Sequence, residues 1–405
     1  MTASEDAAVE RRLREWVERH REALDTHLLE LVEVETPSEA TETFDRFFER
    51  FGDDLREAGL RTERTHGDET GGWLEAWTPG REAAEEHQLV VGHADTVWPL
   101  GTVDENPPER RADVLEGPGA LDMKGGLTQA AFALRALDEL SLDPPLPVCV
   151  FVSSDEEIGS PESKRRIREL AEGANRVFVL EPASGPEGKI KVARKAVGRF
   201  TVTIEGKAAH AGIDPEEGAS ATEELGSVIQ RLHALTNVES GVTVNVGQVE
   251  AGLRPNVVAP DAKAVVDVRA PTEAAADAVE AEIRGLEAST PGTELTVEGG
   301  FGRPPMEPTP GNRLLWERVR ATGSRLGLDL EGTRTGGASD GNYASQHAPT
   351  IDGFGAVGDG AHQSFEYVRL DALADRVALL AACLLDAPLP DDPGRELDDS
   401  TEGSR

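Results

Sequence analysis

The chain is short of several residue types. Its 405 residues include two cysteines, three methionines and two tyrosines, and aromatic residues make up 4%. Cys149 and Cys383 each sit in an apolar run without CxxC or metal-type spacing, so both read as small core residues. That excludes a disulfide framework. No stretch approaches the roughly 18 consecutive apolar residues of a membrane span. Residues 1–14 are heavily charged and lack the apolar centre of a secretory leader. The expectation is a cytoplasmic protein. Lysine is scarce as well: only seven of the 41 basic residues are Lys (124, 164, 189, 191, 195, 207 and 263).

Acid is abundant. Asp and Glu total 76 against 41 Lys and Arg, a formal net charge of −35. Such a field repels phosphate backbones and anionic bilayers, which excludes nucleic-acid and membrane-surface partners. The acid is spread along the chain and accompanied by a 38% hydrophobic fraction, so it belongs to a folded protein. Few lysines, few aromatics and many carboxylates also fit a halophilic protein, because salt screens the self-repulsion of a compact state with this charge.

Apolar periodicity predicts a helix over 9–32 and another over 44–55. Three nearly continuous apolar runs, 88–91, 147–152 and 177–180, suit strands buried on both faces of a mostly parallel sheet, and a helix over 127–137 lies between the first two. From 195 to 303 the pattern changes to alternating strands and two helices in the order β-α-β-β-α-β, a ferredoxin-like insertion. The α/β pattern then resumes with helices over 312–326 and 370–384. The expected organisation is one α/β domain from 1–194 and 304–387, an inserted domain from 195–303, and a disordered acidic tail from 388–405.

The apolar strands end in His93-Ala94-Asp95, Asp155-Glu156-Glu157 and Glu181. Ligands of open α/β sheets bind outside the carboxyl ends of the strands. Asp122, just before a helix, and His362, in a later Gly-rich loop, add to the set. Two imidazoles and several carboxylates suit a pair of divalent transition ions held close together by a bridging carboxylate. Two adjacent acids at a strand end can divide the work, one binding metal and its neighbour acting as general base. Singly, each signal is weak; an acidic triplet among 76 acids says little. Histidines 20, 27, 66, 87 and 233 read as solvent-facing.

The stretches GHADTV (92–97), ALDMKGG (120–126), SSDEEIGS (153–160), LEPA (180–183), AAHAG (208–212), RPNVVA (254–259) and GDGAHQS (358–364) occur in fixed order. In this the chain resembles the di-zinc peptidases and amidohydrolases that include glutamate carboxypeptidase, acetylornithine deacetylase and succinyl-diaminopimelate desuccinylase. The likeness spans residues 28–385. It implies His93 and Glu181 on one metal ion, Glu157 and His362 on the other, and Asp122 bridging. It implies Asp95 accepting a hydrogen bond from the His93 ring, Glu156 as general base, and a cis peptide bond after Asp122. It further implies that the 195–303 domain is a lid through which the chain forms a homodimer. His210 would then reach the active site of the other subunit to help hold the oxyanion, while Asn256 and Arg269 grip a substrate carboxylate. The implied ions are two per chain, Zn²⁺ or alternatively Co²⁺ or Mn²⁺.

The stretches HADTVWPLGT and GGASDGNYA look closest to the glutamate carboxypeptidase branch. That implies release of a C-terminal amino acid from a peptide or N-acyl amino acid, with N-acyl-amino-acid deacylation as the alternative. A different class remains open: Gly337-Ala338-Ser339-Asp340-Gly341 fits GxSxG, and Asp359 and His362 follow in the order of an α/β serine hydrolase. The residues before it are too polar for the buried strand such a nucleophile needs. A non-catalytic member of the same family is a further alternative, though no expected ligand is missing. The charge pattern makes its own prediction. The melting temperature should rise between low salt and molar KCl, and a melt indifferent to salt would overturn the halophilic reading.

Overall fold

The computed structural model describes residues 3–80, 84–394 and 396. Two compact units emerge: Met1–Val192 with Pro308–Arg334 and Ser339–Arg405, and Ala193–Glu307 with Thr335–Ala338. The segment 335–338 belongs with the second unit, where the Lys195 N–H donates to the Thr335 carbonyl at 3.2 Å.

The first unit is built on a six-stranded sheet. Its strands are β1 (Arg61–Thr65), β2 (Trp73–Trp77), β3 (His87–His93), β4 (Val148–Ser153), β5 (Ala174–Val179) and a short final strand, Thr350–Ile351. They lie in the order β1-β2-β4-β3-β5 and then Thr350–Ile351. The strands from β4 onward run parallel, while β1 and β2 form an antiparallel edge. The continuous apolar runs have the cause expected of them. Val90, Val148, Val150 and Phe178 enter one core, and Leu89, Val91, Cys149, Phe151 and Val177 enter another. Both faces of the central strands are therefore buried. Cys149 and Cys383 are both buried.

Several local expectations change. The predicted helix over 9–32 is two helices, Ala3–Arg19 and Arg21–Val32, broken at His20. The His20 ring stacks on Trp16 at 3.9 Å, and its Nδ1 lies 2.7 Å from the Trp16 carbonyl. His27 is buried rather than solvent-facing: Nδ1 bonds the Thr128 hydroxyl at 3.1 Å and Nε2 the Asp54 carboxylate at 2.9 Å. Its position between Leu24, Leu28 and Leu31 places it on the core stripe of that helix. The edge strand β1 had no clear sequence signal, since RTERT is polar throughout. At the other end of the chain, where a disordered tail was expected from 388, Leu389 is buried, and its main-chain N–H and carbonyl bond the Asn175 side chain. Residues 395 and 397–405 lie outside the described residues.

The second unit carries a four-stranded antiparallel sheet of β6 (Ala196–Glu205), β7 (Thr243–Ala251), β8 (Asp261–Ala270) and β9 (Glu294–Arg303), in the order β7-β8-β6-β9. Helices Ala221–Ala234 and Glu273–Arg284 pack on it around Phe200, Val202, Ile204, Val266 and Val268. Strand order and helix placement make this the ferredoxin-like insertion that the alternation of residues predicted.

One close approach fixes the helix that begins at the end of β5. Helix Gly125–Glu139 starts so near Leu180 that a Cβ on Gly126 would stand 2.3 Å from the Leu180 carbonyl oxygen. Backbone cannot yield as a flexible side chain can. Gly126→Ala should destabilise the protein by about 1–3 kcal/mol in urea unfolding, the usual cost of overpacking; unchanged stability would contradict this contact.

Candidate metal centre

Three parallel strands deliver acids and a histidine to one end of the first unit's sheet. His93 is the last residue of β3 and pairs in register with Ser153, the last of β4. The turn after β4 carries Asp155, Glu156 and Glu157, and β5 is followed by Leu180 and Glu181. Asp122 sits before helix Gly125–Glu139, and the Asp122–Met123 peptide bond is cis, as the resemblance implied. His362 comes from the loop after Gly358–Asp359 and holds φ at +61°, in the left-handed region sparsely used by residues with a side chain.

These side chains meet. His93 Nε2 is 3.3 Å from Asp122 Oδ1 and 3.4 Å from Glu181 Oε1. His362 Nε2 is 3.2 Å from Asp122 Oδ2 and 3.2 Å from Glu157 Oε1. The two oxygens of Asp122 thus face two different imidazoles. Ligand atoms of His93, Glu156 and Glu181 lie within 4.8 Å of one another, as do those of His93, Asp122 and Glu157. Within this cluster His93 Nε2 and Asp122 Oδ1 are buried without a hydrogen bond. A buried donor–acceptor set left in that state is costly unless something else satisfies it. Imidazole nitrogens and carboxylate oxygens are the donor set of Zn²⁺ and similar ions, so the residues present fit a divalent cation.

The His93 tautomer is set from behind. Nδ1 lies 2.9 Å from the main-chain carbonyl of Asp95, which can only accept, so Nδ1 carries a proton in either charge state and only loss of the Nε2 proton would turn a lone pair to the cluster. The Asp95 carboxylate is farther from this ring, at 3.4 Å. It also accepts the Ser38 hydroxyl at 2.8 Å and the N–H groups of Glu156 at 3.1 Å and Glu157 at 3.0 Å. It therefore ties the β3 end to the acidic turn. Asp155, the first acid of the triplet, points away: it accepts the N–H groups of Glu162 and Ser163, and burial raises its pKa.

Crowding shifts the protonation of the cluster. Burial works against charge on His93, but Asp122, Asp95 and Glu181 outweigh it and hold the ring well above its ordinary pKa. Hydrogen bonds to Asp122 and Glu157 raise His362 to about 10. Burial pushes the Asp122 carboxyl up, yet His362 and His93 together hold it far below the usual carboxylate range. For Glu157 burial prevails and its pKa rises. Without a cation, protons on the two rings are the cluster's positive charge.

Sequence reasoning missed Glu366. It is 2% exposed and accepts the N–H groups of Gly119, Leu121 and Asp122. Burial lifts its pKa to about 7 against those bonds. Lys124 is also buried; its Nζ donates to the Val34 carbonyl at 2.6 Å, and burial lowers its pKa to about 7. Neither stood out in the sequence, since one acid among 76 carries no signal.

The remaining sequence candidates lie elsewhere. Ser339 is fully buried; its hydroxyl bonds the Asp352 carboxylate and accepts the Gly341 N–H at 3.0 Å. Among the described residues no histidine bonds it. The Asp359 carboxylate accepts the Gly360 N–H, and His362 faces Asp122 and Glu157, so the serine-hydrolase arrangement does not form. In the second unit His210 and Asn256 are exposed and adjacent, because the Ala211 N–H donates to the Asn256 carbonyl at 3.1 Å. The Gly212 N–H donates to His210 Nδ1, which leaves the proton of the neutral ring on Nε2. Arg269, expected to be available to a carboxylate, is paired with Asp267 at 2.8 and 2.9 Å.

The cluster's protonation makes a prediction for chelated protein. A pKa raised on folding gives stability that is complete below the unfolded value of 6.5 and lost as pH climbs through about 10. Thermal melts of chelated wild type and His362→Ala should therefore differ most near about pH 6 and converge towards about pH 10; a constant or widening gap would contradict the geometry.

Comparison with known proteins places the chain in a family. The profile of peptidase family M20/M25/M40 matches residues 89–386. Carboxypeptidase G2 of Pseudomonas sp. (strain RS-16) is 30% identical over 306 residues, covering 74% of this chain and 73% of that one. A succinyl-diaminopimelate desuccinylase of Acidovorax ebreus (strain TPSY) is 26% identical over 307 residues, covering 71% and 77%. In fold, the crystal structure of aminopeptidase PepT from Bacillus cereus ATCC 10987 superposes with a TM-score of 0.77 at 23% identity, covering 90% of this chain and 98% of that one.

Proposed function

The chain belongs to peptidase family M20/M25/M40, and on that premise we propose that it releases a C-terminal amino acid from a peptide or N-acyl amino acid by metal-assisted amide hydrolysis. That it is a hydrolase of peptides or acyl amino acids follows from the family and its relatives. The finer reading is supported by the higher identity to a carboxypeptidase, 30%, than to a desuccinylase, 26%.

The observation that carries the mechanism is the split of Asp122 between two imidazoles. His93 and Glu181 would hold one ion, His362 and Glu157 the other, and Asp122 both, with zinc favoured by the N and O donors. Bound there, the ions would supply Lewis acidity that acidifies a water and polarises the scissile carbonyl.

The chain's own residues handle the rest. Glu156, with a ligand atom within 4.8 Å of those of His93 and Glu181, takes the proton from the attacking water and returns it to the leaving nitrogen. Asp95 holds the Glu156 and Glu157 amides, so base and ligand keep a fixed offset. His210, with its proton on Nε2, would donate to the developing oxyanion across a homodimer formed through the second unit. Asn256 and Arg269 would grip the substrate carboxylate, and Arg269 must exchange Asp267 for it. A cytoplasmic, salt-rich setting completes the proposal, the salt-rich part supported by the −35 charge.

Kinetics of wild type and Glu156→Ala on a panel of dipeptides and N-acyl amino acids test this. The variant should keep its metal while kcat falls about 10²–10⁴-fold, the usual share of a general base. Near-wild-type turnover would remove Glu156 from the mechanism. Preference for short-chain N-acetyl or N-succinyl amino acids over peptides would favour deacylation instead.

A further inference from the structure

We propose that Glu366 is a positioning residue of the metal centre, a buried carboxylate that clasps three ligand-bearing loops. The proposal rests on the di-metal reading above and goes beyond it by naming what holds the ligands in place.

The clasp is visible bond by bond. Oε1 accepts the N–H of Leu121 at 2.8 Å and of Asp122 at 2.9 Å. Oε2 accepts the N–H of Gly119 at 2.9 Å and the indole N–H of Trp98 at 3.1 Å. Four donors fill the acceptor capacity of one carboxylate. Glu366 belongs to the loop that carries His362. Trp98 belongs to the loop that carries Asp95 and follows His93 at the end of β3. Asp122 is held by its own amide. One side chain therefore joins the segments supplying both imidazoles and the bridging acid.

The placement of these partners separates positioning from simple burial. A buried acid kept only for packing needs donors from anywhere. Here the donors stand at, or close in sequence to, proposed ligands. Each hydrogen bond restrains how Asp122 presents one oxygen to His93 and the other to His362. The group must also be an acceptor on both sides. Glutamine preserves the volume, but its NH₂ would face two N–H donors and lose one pair of bonds. Outer partners of this kind typically account for 10–100-fold in metal affinity when removed.

The test is a zinc titration against a chromophoric chelator, using wild type, Glu366→Gln, Trp98→Phe and Glu75→Gln. Glu75 is a buried acid in the same unit paired with Arg166, so its variant reports the effect of merely losing a buried bond. Wild type should take two ions per chain. Glu366→Gln should bind at least one of them about 10–100-fold more weakly. Its kcat should return towards the wild-type value at saturating zinc, because every ligand remains. Trp98→Phe should shift affinity in the same direction by less, and it carries the test if Glu366→Gln does not fold. Glu75→Gln should lower the melting temperature without changing metal affinity. Two ions held as tightly by Glu366→Gln and Trp98→Phe as by wild type would overturn the positioning role and leave the di-metal reading standing. No zinc bound by wild type would overturn both.

Discussion

Like charge crowded at the end of one sheet is the constraint from which the rest of this centre follows. Asp122, Glu156, Glu157 and Glu181 converge on two imidazoles, His93 buried and His362 exposed. Carboxylates so placed repel each other strongly, because the interior screens them poorly. The arrangement persists only if positive charge sits among them. In the chain alone that charge is protons on His93 and His362, whose pKa values are raised for this reason. A pair of divalent ions answers the same requirement and leaves the imidazole lone pairs in use. The site is therefore intelligible as a cation receptacle before any relative is considered.

Holding such a cluster together falls to groups that are not themselves ligands in the proposed scheme. Asp95 and Glu366 are both buried, and both take main-chain N–H donors from neighbouring segments. They act on different parts of the cluster: Asp95 joins the β3 end to the acidic turn, and Glu366 joins the Trp98 and Asp122 segments to its own. Amide dipoles make these two negative charges tolerable beside the others. Carboxylates thus appear in two roles, some facing the cation site and some facing the backbone. Side-chain chemistry alone does not tell the roles apart; the direction of the hydrogen bonds does.

That distinction marks the limit of what could be read in the sequence. Strands that are buried on both faces announce themselves, and they carried His93, Glu157 and Glu181 with them. The ferredoxin-like insertion was legible because alternation and helical period switch visibly. Asp122 and His362 were legible as parts of ordered motifs rather than as isolated residues. Glu366 was not, because its role depends on loops far apart in sequence meeting at one point. His27 was misjudged for a related reason: a polar side chain on a core stripe is buried when a partner such as Asp54 waits for it. Ser339 shows the converse. Its motif matched a nucleophile pattern, but burial and a bond to Asp352 give it another use.

The scarcity of lysine and the surplus of acid gain a narrower meaning from the structure. Under the proposed function a substrate bearing a carboxylate would approach a chain whose formal charge is −35, so attraction would have to be local. Within the first unit the only nearby lysine of the ligand loops, Lys124, is buried and committed to the Val34 carbonyl, so it offers nothing to an arriving anion. In the second unit Arg269 is already paired with Asp267. Under the proposed function, recognition of an acid by this acidic chain would call on the cations of the centre to reverse the local sign. Salt weakens the exposed long-range repulsion more than it weakens contacts inside a water-poor pocket. The acid excess would then leave recognition to the few groups that touch the substrate.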